Sequence, residues 1–205
     1  MAEVHVGFLL QWLDLLGVAV FAASGALAAA HKQQTVVTFA FFALVTGVGG
    51  GTVRDLLIDA PVFWVHDSNY LAACLVTALL VWITPKKIWS PKALDWFDAA
   101  GLSAYAVFGV AKSLSFGIDP LPAIMMGVFT ACVGGIIRDV LANEPSIVIR
   151  PELYVTAAAL AAVLFAVLVM LGVDEPAAAV LAAVAGFVLR GLAIVRQWHL
   201  PAYRG

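Results

Sequence analysis

Moved by 84 positions, this chain lies on itself without a gap: Trp12-Leu13-Asp14-x-x-Gly17 falls on Trp96-Phe97-Asp98-x-x-Gly101, and Gly50-Gly51-x-x-Arg54-Asp55 falls on Gly134-Gly135-x-x-Arg138-Asp139. The same register pairs Gly25 with Gly109, Thr46 with Thr130, Leu57 with Leu141, Pro61 with Pro145 and Tyr70 with Tyr154. Charged and helix-bending positions correspond while the apolar filler has diverged, so the chain is a duplicated unit. Each copy holds about three apolar segments of membrane length, taking roughly 20 residues as the span of a bilayer. An odd number of crossings per copy makes the two copies enter the membrane from opposite sides. That is the inverted repeat common among transporters and some channels.

The composition supports a membrane reading. Hydrophobic residues make up 63% of the chain and charged ones 12%, against roughly 25% charged in an average soluble domain. Too little polar sequence remains to cover so many apolar segments in 205 residues, and an integral membrane protein follows. The expected fold is all-α and polytopic, a single membrane domain over 1–205. Seven crossings are predicted at about 7–30, 35–59, 68–84, 95–115, 120–143, 152–172 and 176–195. Repeat one covers about 7–84 and repeat two about 95–172, while the seventh helix at about 176–195 has no counterpart. Small side chains from Ala177 to Ala185 suit that helix to bracing the bundle or meeting a neighbouring subunit.

The connecting segments alternate in charge. Lys32, then Lys86, Lys87 and Lys92, then Arg150, then Arg190, Arg196 and Arg204 fall on one side; Glu3, Asp67, Asp119, Asp174 and Glu175 fall on the other, with Lys112 as its one nearby base. The positive-inside rule then puts the N-terminus outside and the C-terminus in the cytoplasm. Trp82, Trp89, Trp96 and Trp198 lie near predicted segment ends, where amphipathic rings settle at headgroup level. Pro85 and Pro91 punctuate the link between the copies. The start, Met1 to His5, lacks a basic region, so the first apolar stretch is read as a retained helix. Cys74 and Cys132 sit inside apolar segments as small core residues. A net charge of −2 without any basic run gives no reason to expect a nucleic-acid partner.

No enzyme constellation is present. The four histidines, His5, His31, His66 and His199, are scattered near segment ends, and Gly47-Val48-Gly49-Gly50-Gly51 precedes no Lys-Ser or Lys-Thr pair. The chain is therefore read as no enzyme, with no cofactor and no metal site. Its informative features are the glycines at 49, 50 and 51 and at 134 and 135, each followed by an Arg-Asp pair. Helix-interior glycine costs about 1 kcal/mol relative to alanine. Three in succession at mid-membrane predict a break or kink lining a permeation path, with close packing between the copies as the alternative. A break must face protein or water, because lipid cannot satisfy free backbone groups; its carbonyl ends favour cations and its N–H ends favour anions.

An intramembrane Arg or Asp costs about 2.5–3.5 kcal/mol to insert. Adjacent helical residues point about 100° apart, so Arg54 and Asp55, or Arg138 and Asp139, are not expected to satisfy each other. The expectation is pairing between copies, with Arg54 and Arg138 reaching Asp14, Asp55, Asp98 or Asp139 on other helices. Asp14 and Asp98 have a second reading as helix-start charges. Lys112, whose repeat mate is Ala28, is expected to snorkel outward, or else to extend into a cavity as a gating or selectivity charge.

Two three-helix repeats plus a seventh helix, with Gly49-Gly50-Gly51-Thr-Val-Arg54-Asp55 and Gly134-Gly135-Ile-Ile-Arg138-Asp139 as the most specific pieces, resemble the trimeric intracellular cation channel family. Its prokaryotic members overlap a widespread group of paired three-helix repeats labelled glycine transporters. The resemblance spans about 7–195. It implies a homotrimer in the lipid bilayer, with one pore per subunit for potassium and sodium, lined by the glycine-kinked second and fifth crossings. The Lys-Glu-Val stretch of the animal members is missing from this sequence, so their lipid and voltage response is not carried over. A carrier of glycine or another small zwitterion is the alternative function. Arg residues near the glycines favour it unless acids neutralise them.

Overall fold

In the computed structural model, residues 8–90 and 92–201 are described, without the side chains of residues 8–13 and Lys86. Glu3, His5, Pro91 and Arg204, and the side chains of Trp12 and Lys86, lie outside that part. The described residues form α1 (Phe8–His31), α2 (Val36–Leu57), α3 (Phe63–His66), α4 (Ser68–Ile83), α5 (Ala93–Ser115), α6 (Pro120–Leu141), α7 (Val155–Met170) and α8 (Glu175–Arg196). The expected apolar segments are seven of these helices. The single-turn α3 and the 3-10 turns at Lys86–Ile88 and Ile147–Ile149 are additional.

The 84-residue register extends to the backbone. Gln33 and Gly117 both adopt positive φ, as do Asp59 and Asn143. Each follows a helix whose last carbonyls it helps to satisfy: Ala60 N–H donates to the Asp55 carbonyl at 2.8 Å and Glu144 N–H to that of Asp139 at 2.9 Å. Gln34 to Ala29 and Ile118 to Ser113 repeat the arrangement at 3.1 Å each. These six-to-one closures end the helices sharply. Asp and Asn accept the left-handed conformation through their short polar side chains.

Packing follows the same duplication. α1 lies on α2 and α4 as α5 lies on α6 and α7; α1 meets α5, and α2 meets α6. α8 packs chiefly on α5 and α7 of the second copy. By length and composition four segments among the described residues are able to cross a membrane: Asp14–His31, Val36–Leu57, Pro120–Leu141 and Glu175–Arg196. α4 and α7 are apolar but have only 16 residues each. α5 is largely interior, burying Asp98 with most of the stretch from Gly101 to Ser113.

α2 and α6 stay α-helical through Gly49, Gly50, Gly51, Gly134 and Gly135, so the expected break is not there. The glycines allow a close crossing instead. A Cβ on Gly50 would come closer than 3.0 Å to the Thr130 carbonyl oxygen, and one on Gly134 closer than that to the Thr46 carbonyl oxygen. The contact is reciprocal in the 84-residue register, Gly50 meeting Thr130 as Gly134 meets Thr46. Backbones that approach this closely gain dispersion and Cα–H···O contacts, which offset the poor helix propensity of glycine. Gly25 and Gly109 do the same one layer away, resting against Phe42 and Thr46, and against Gly127 and Thr130.

Candidate functional site

Beyond the glycines each Arg-Asp pair stands in the last turn of its helix, on either side of the α2–α6 crossing. In the first cluster Arg54 is 0% exposed. Its Nε donates to Asp55 Oδ1 at 2.9 Å, and its Nη2 lies 2.8 Å from the same oxygen without hydrogen-bond alignment. The Lys112 ammonium, from α5, meets that oxygen at 2.8 Å. Asp55 Oδ2 accepts the Phe63 N–H at 3.1 Å, which ties α2 to the start of α3. Nη1 of Arg54 has no hydrogen-bond acceptor. The guanidinium faces the rings of Phe108, at 5.0 Å, and Phe63, at 5.9 Å, a cation–π environment that offsets part of its desolvation. Asp14 is held by the Tyr70 hydroxyl, which donates to Oδ2 at 2.8 Å, while Oδ1 is buried without a partner.

The second cluster repeats the first with Ile147, Ser24 and Ala28 in place of Phe63, Phe108 and Lys112. Arg138 donates to Asp139 Oδ1 from Nε at 2.9 Å and from Nη2 at 2.8 Å, and Asp139 Oδ2 accepts the Ile147 N–H at 2.8 Å. Residues 63 and 147 are again 84 apart. Arg138 Nη1 reaches Asp98 Oδ1 on α5 and the Ser24 hydroxyl, at 3.0 Å, on α1. The register puts Ser24 where the first cluster has Phe108, and Ala28 where it has Lys112. Asp98 Oδ2 and the Tyr154 hydroxyl are buried without partners.

Three expectations need correction. Each Arg does pair with its own neighbour: the Arg stem is long enough to fold back in the last helical turn, and the Asp carboxylate is pinned toward it by a backbone N–H eight residues on. The Arg–Asp bonds also do not cross between copies, because Asp98 belongs to the same copy as Arg138; the copies are joined instead by Lys112–Asp55, Arg138–Ser24 and the exposed Lys32–Glu144 pair at 2.6 Å. The hydrogen bond and charge of Lys32 hold the Glu144 carboxyl below its usual range. Finally, Lys112 does not snorkel; its side chain, 11% exposed, turns inward to Asp55.

Other participants were not singled out from the sequence. Tyr70 and Tyr154 were visible as a matched repeat pair, though nothing local reported that they stand beside Asp14 and Asp98. Arg190 was counted as a cytoplasmic loop charge. It is 1% exposed on α8, pairs with Glu152 at 2.7 Å and lies over the Tyr154 ring at 5.4 Å. Its place within the apolar run Val188-Leu189-Arg190 was the available signal.

Next to the second cluster is a cavity of about 160 Å³, whose lining includes Ala28, Asp95, Arg138 and Asp139, with Lys32 and Glu144. Among the described residues no group of His, Cys, Asp and Glu has the arrangement of a metal site. The two clusters thus put paired charges at the two ends of the close α2–α6 crossing. This is an arrangement for passing or holding a small charged species.

Comparison with known proteins agrees with the duplication. The Glycine transporter family model matches residues 11–86 and again 95–170. A UPF0126 membrane protein of Vibrio cholerae is 39% identical over 198 residues, covering 94% of this chain and 81% of that one. The UPF0126 inner membrane protein YadS of Escherichia coli K12 is also 39% identical over 198 residues, covering 94% of each. Among solved structures, the TRIC trimeric intracellular cation channel orthologue from Rhodobacter sphaeroides superposes with a TM-score of 0.86 at 38% identity, over 94% of this chain and 100% of that one. A prokaryotic TRIC channel solved in 0.5 M KCl superposes at 0.83 with 27% identity, over 94% of this chain and 98% of that one. With both copies matched and the whole bundle superposed, the chain belongs to the trimeric intracellular cation channel family, in the prokaryotic branch that the Glycine transporter model also describes.

Proposed function

We propose that the chain is a channel for monovalent cations, potassium and also sodium, with one pore per subunit of a homotrimer in the bilayer. The observation that carries this reading is the superposition on the Rhodobacter sphaeroides cation channel orthologue at 38% identity over 94% of the chain. The site chemistry agrees with it. Every Arg in the two clusters is neutralised by an acid, so the guanidinium groups present no uncompensated barrier to a cation. The path runs between α2 and α6 past Gly49, Gly50, Gly51, Gly134 and Gly135. With the helices in close contact at Gly50 and Gly134, this conformation is a shut one, and conduction requires the crossing to part. No cofactor is involved; the ion is the cargo.

In this reading the chain is a single membrane domain of seven crossings, α3 excluded. The two copies are inverted in the inner membrane of a prokaryote, with the N-terminus outside and the C-terminus in the cytoplasm. Charge segregation supports that orientation. Single cysteines at Lys87 and Glu175, with Cys74 and Cys132 replaced, test it with an impermeant thiol reagent added to intact cells. The Glu175 site is expected to label and the Lys87 site to stay protected; the reverse would overturn the orientation.

A second reading, a carrier of glycine or a similar zwitterion, is favoured by the family description and by Arg54 Nη1, a buried donor with no acceptor that a carboxylate could occupy. Purified trimer in liposomes separates the two. A channel dissipates a potassium gradient and gives unitary currents in a planar bilayer without any amino acid present. Saturable counterflow of labelled glycine without such currents would refute the channel and establish the carrier.

A further inference from the structure

The two clusters share the bond from Arg to its neighbouring Asp and the bond from that Asp to a backbone N–H eight residues on, and they differ in charge. Asp55 Oδ1 takes the Arg54 guanidinium and the Lys112 ammonium together, while Asp139 Oδ1 takes only the Arg138 guanidinium. The cause is the residue at the equivalent place on the facing helix, Lys112 in α5 and Ala28 in α1. Formal charges follow. Asp14 and Asp55 balance Arg54 and Lys112, but Asp98 and Asp139 face Arg138 alone and leave one negative charge in excess.

The other charged groups near Asp139 do not supply the difference. Lys32 is paired with Glu144 at 2.6 Å and Arg190 with Glu152 at 2.7 Å, while Arg150 bonds the neutral Pro145 carbonyl at 3.1 Å and keeps its charge. Asp95, on the same cavity wall, supplies the carboxylate that offsets Arg150 and leaves the excess in place. The space that a lysine would fill is the cavity bounded by Ala28, Arg138 and Asp139. Exposure marks the same difference: the Asp55 side chain is 0% exposed and the Asp139 side chain 9%. Asp98 is 1% exposed and buries an unpartnered Oδ2 in the same cluster.

From this internal comparison we infer that Asp139, beside Ala28, binds a monovalent cation in the place that the Lys112 ammonium takes beside Asp55. A primary ammonium and a potassium ion are both compact monovalent cations, so one geometry serves both, and the first copy carries a tethered version of what the second copy takes from solution. The inference rests on the cation reading above, yet it concerns binding at one carboxylate and is measured in detergent, where flux plays no part.

Crystals of the wild-type trimer grown with thallium, a potassium substitute with strong anomalous scattering, should show a peak between Asp139 and Ala28. No peak there would overturn the site while leaving the channel reading intact. Exchanging choline chloride for potassium chloride at equal ionic strength should raise the melting temperature by about 3–6 °C, the shift for a ligand near ten times its dissociation constant in a chain of this size. Ala28→Lys should be stabilised already in choline and respond no further to potassium. Ala28→Met, which fills the cavity without charge, should gain no stability in choline. A potassium response in Ala28→Lys equal to wild type would overturn the proposal. If Ala28→Lys does not fold, Lys112→Ala serves in its place. Removing the tethered ammonium should admit thallium beside Asp55, and its failure to do so would count equally against the site.

Discussion

Gly50→Ala is expected to cost the fold at least about 3 kcal/mol, the upper end of the range for overpacking a tight interior, and Gly134→Ala the same. The added methyl meets the carbonyl oxygen of Thr130 or Thr46, backbone atoms of a facing helix that cannot swing aside as a side chain can. Gly49→Ala is the internal control. Its Cβ would stand 3.3 Å from the Ile137 Cδ1 methyl, the free end of a side chain, so the clash is small and up to about 1 kcal/mol of helix propensity is gained. Thermal unfolding of the three variants in detergent should therefore give two large losses and one near-neutral result. A Gly50→Ala protein melting with wild type would show that the α2–α6 contact is not a structural keystone. The position nonetheless bears on transport, because the glycines at the crossing set how closely the helices that must part are packed.

Arg138→Ala should be the most damaging change among the charged residues, at about 3–5 kcal/mol, because it strands buried carboxylates at Asp98 and Asp139 together. Arg54→Ala should cost less, since Lys112 still neutralises Asp55. Double-mutant cycles refine the point. Arg138 with Asp98 should show coupling above about 1 kcal/mol, whereas Arg138 with Asp55, which share no bond, should add within about 0.5 kcal/mol. An Arg54→Ala protein less stable than Arg138→Ala would contradict the difference in partners on which the ordering rests. Coupling of Arg138 with Asp55 as large as that with Asp98 would restore the cross-copy clamp that the geometry replaces.

These expected results separate what the chain's pattern determines from what its packing determines. Duplication was readable because it is a property of order: Gly, Pro, Arg and Asp recur at one spacing, and each recurrence reappears as a matched turn, such as Asp59 with Asn143, or a matched bond, such as Asp55 to Phe63 with Asp139 to Ile147. The segments were readable because bilayer thickness and helical rise set their length. Burial of Arg54 and Arg138 followed from their position within apolar runs, whereas Asp14 and Asp98 could equally have been helix-start charges.

Partner choice did not follow, for a physical reason. A helical period states which face a residue occupies and says nothing about how far a flexible side chain bends, so Arg54 paired with Asp55 against the 100° rule and Lys112 turned inward instead of outward. Glycine was ambiguous in the same way. Its missing Cβ permits a break and a close crossing alike, and only the facing carbonyls of Thr46 and Thr130 selected the crossing. Arg190 shows the remaining gap. From the chain alone it was one more basic residue near the C-terminus; tertiary packing of α8 on α5 and α7 buried it against Glu152 and Tyr154, because the free energy of a charge depends on what surrounds it in space.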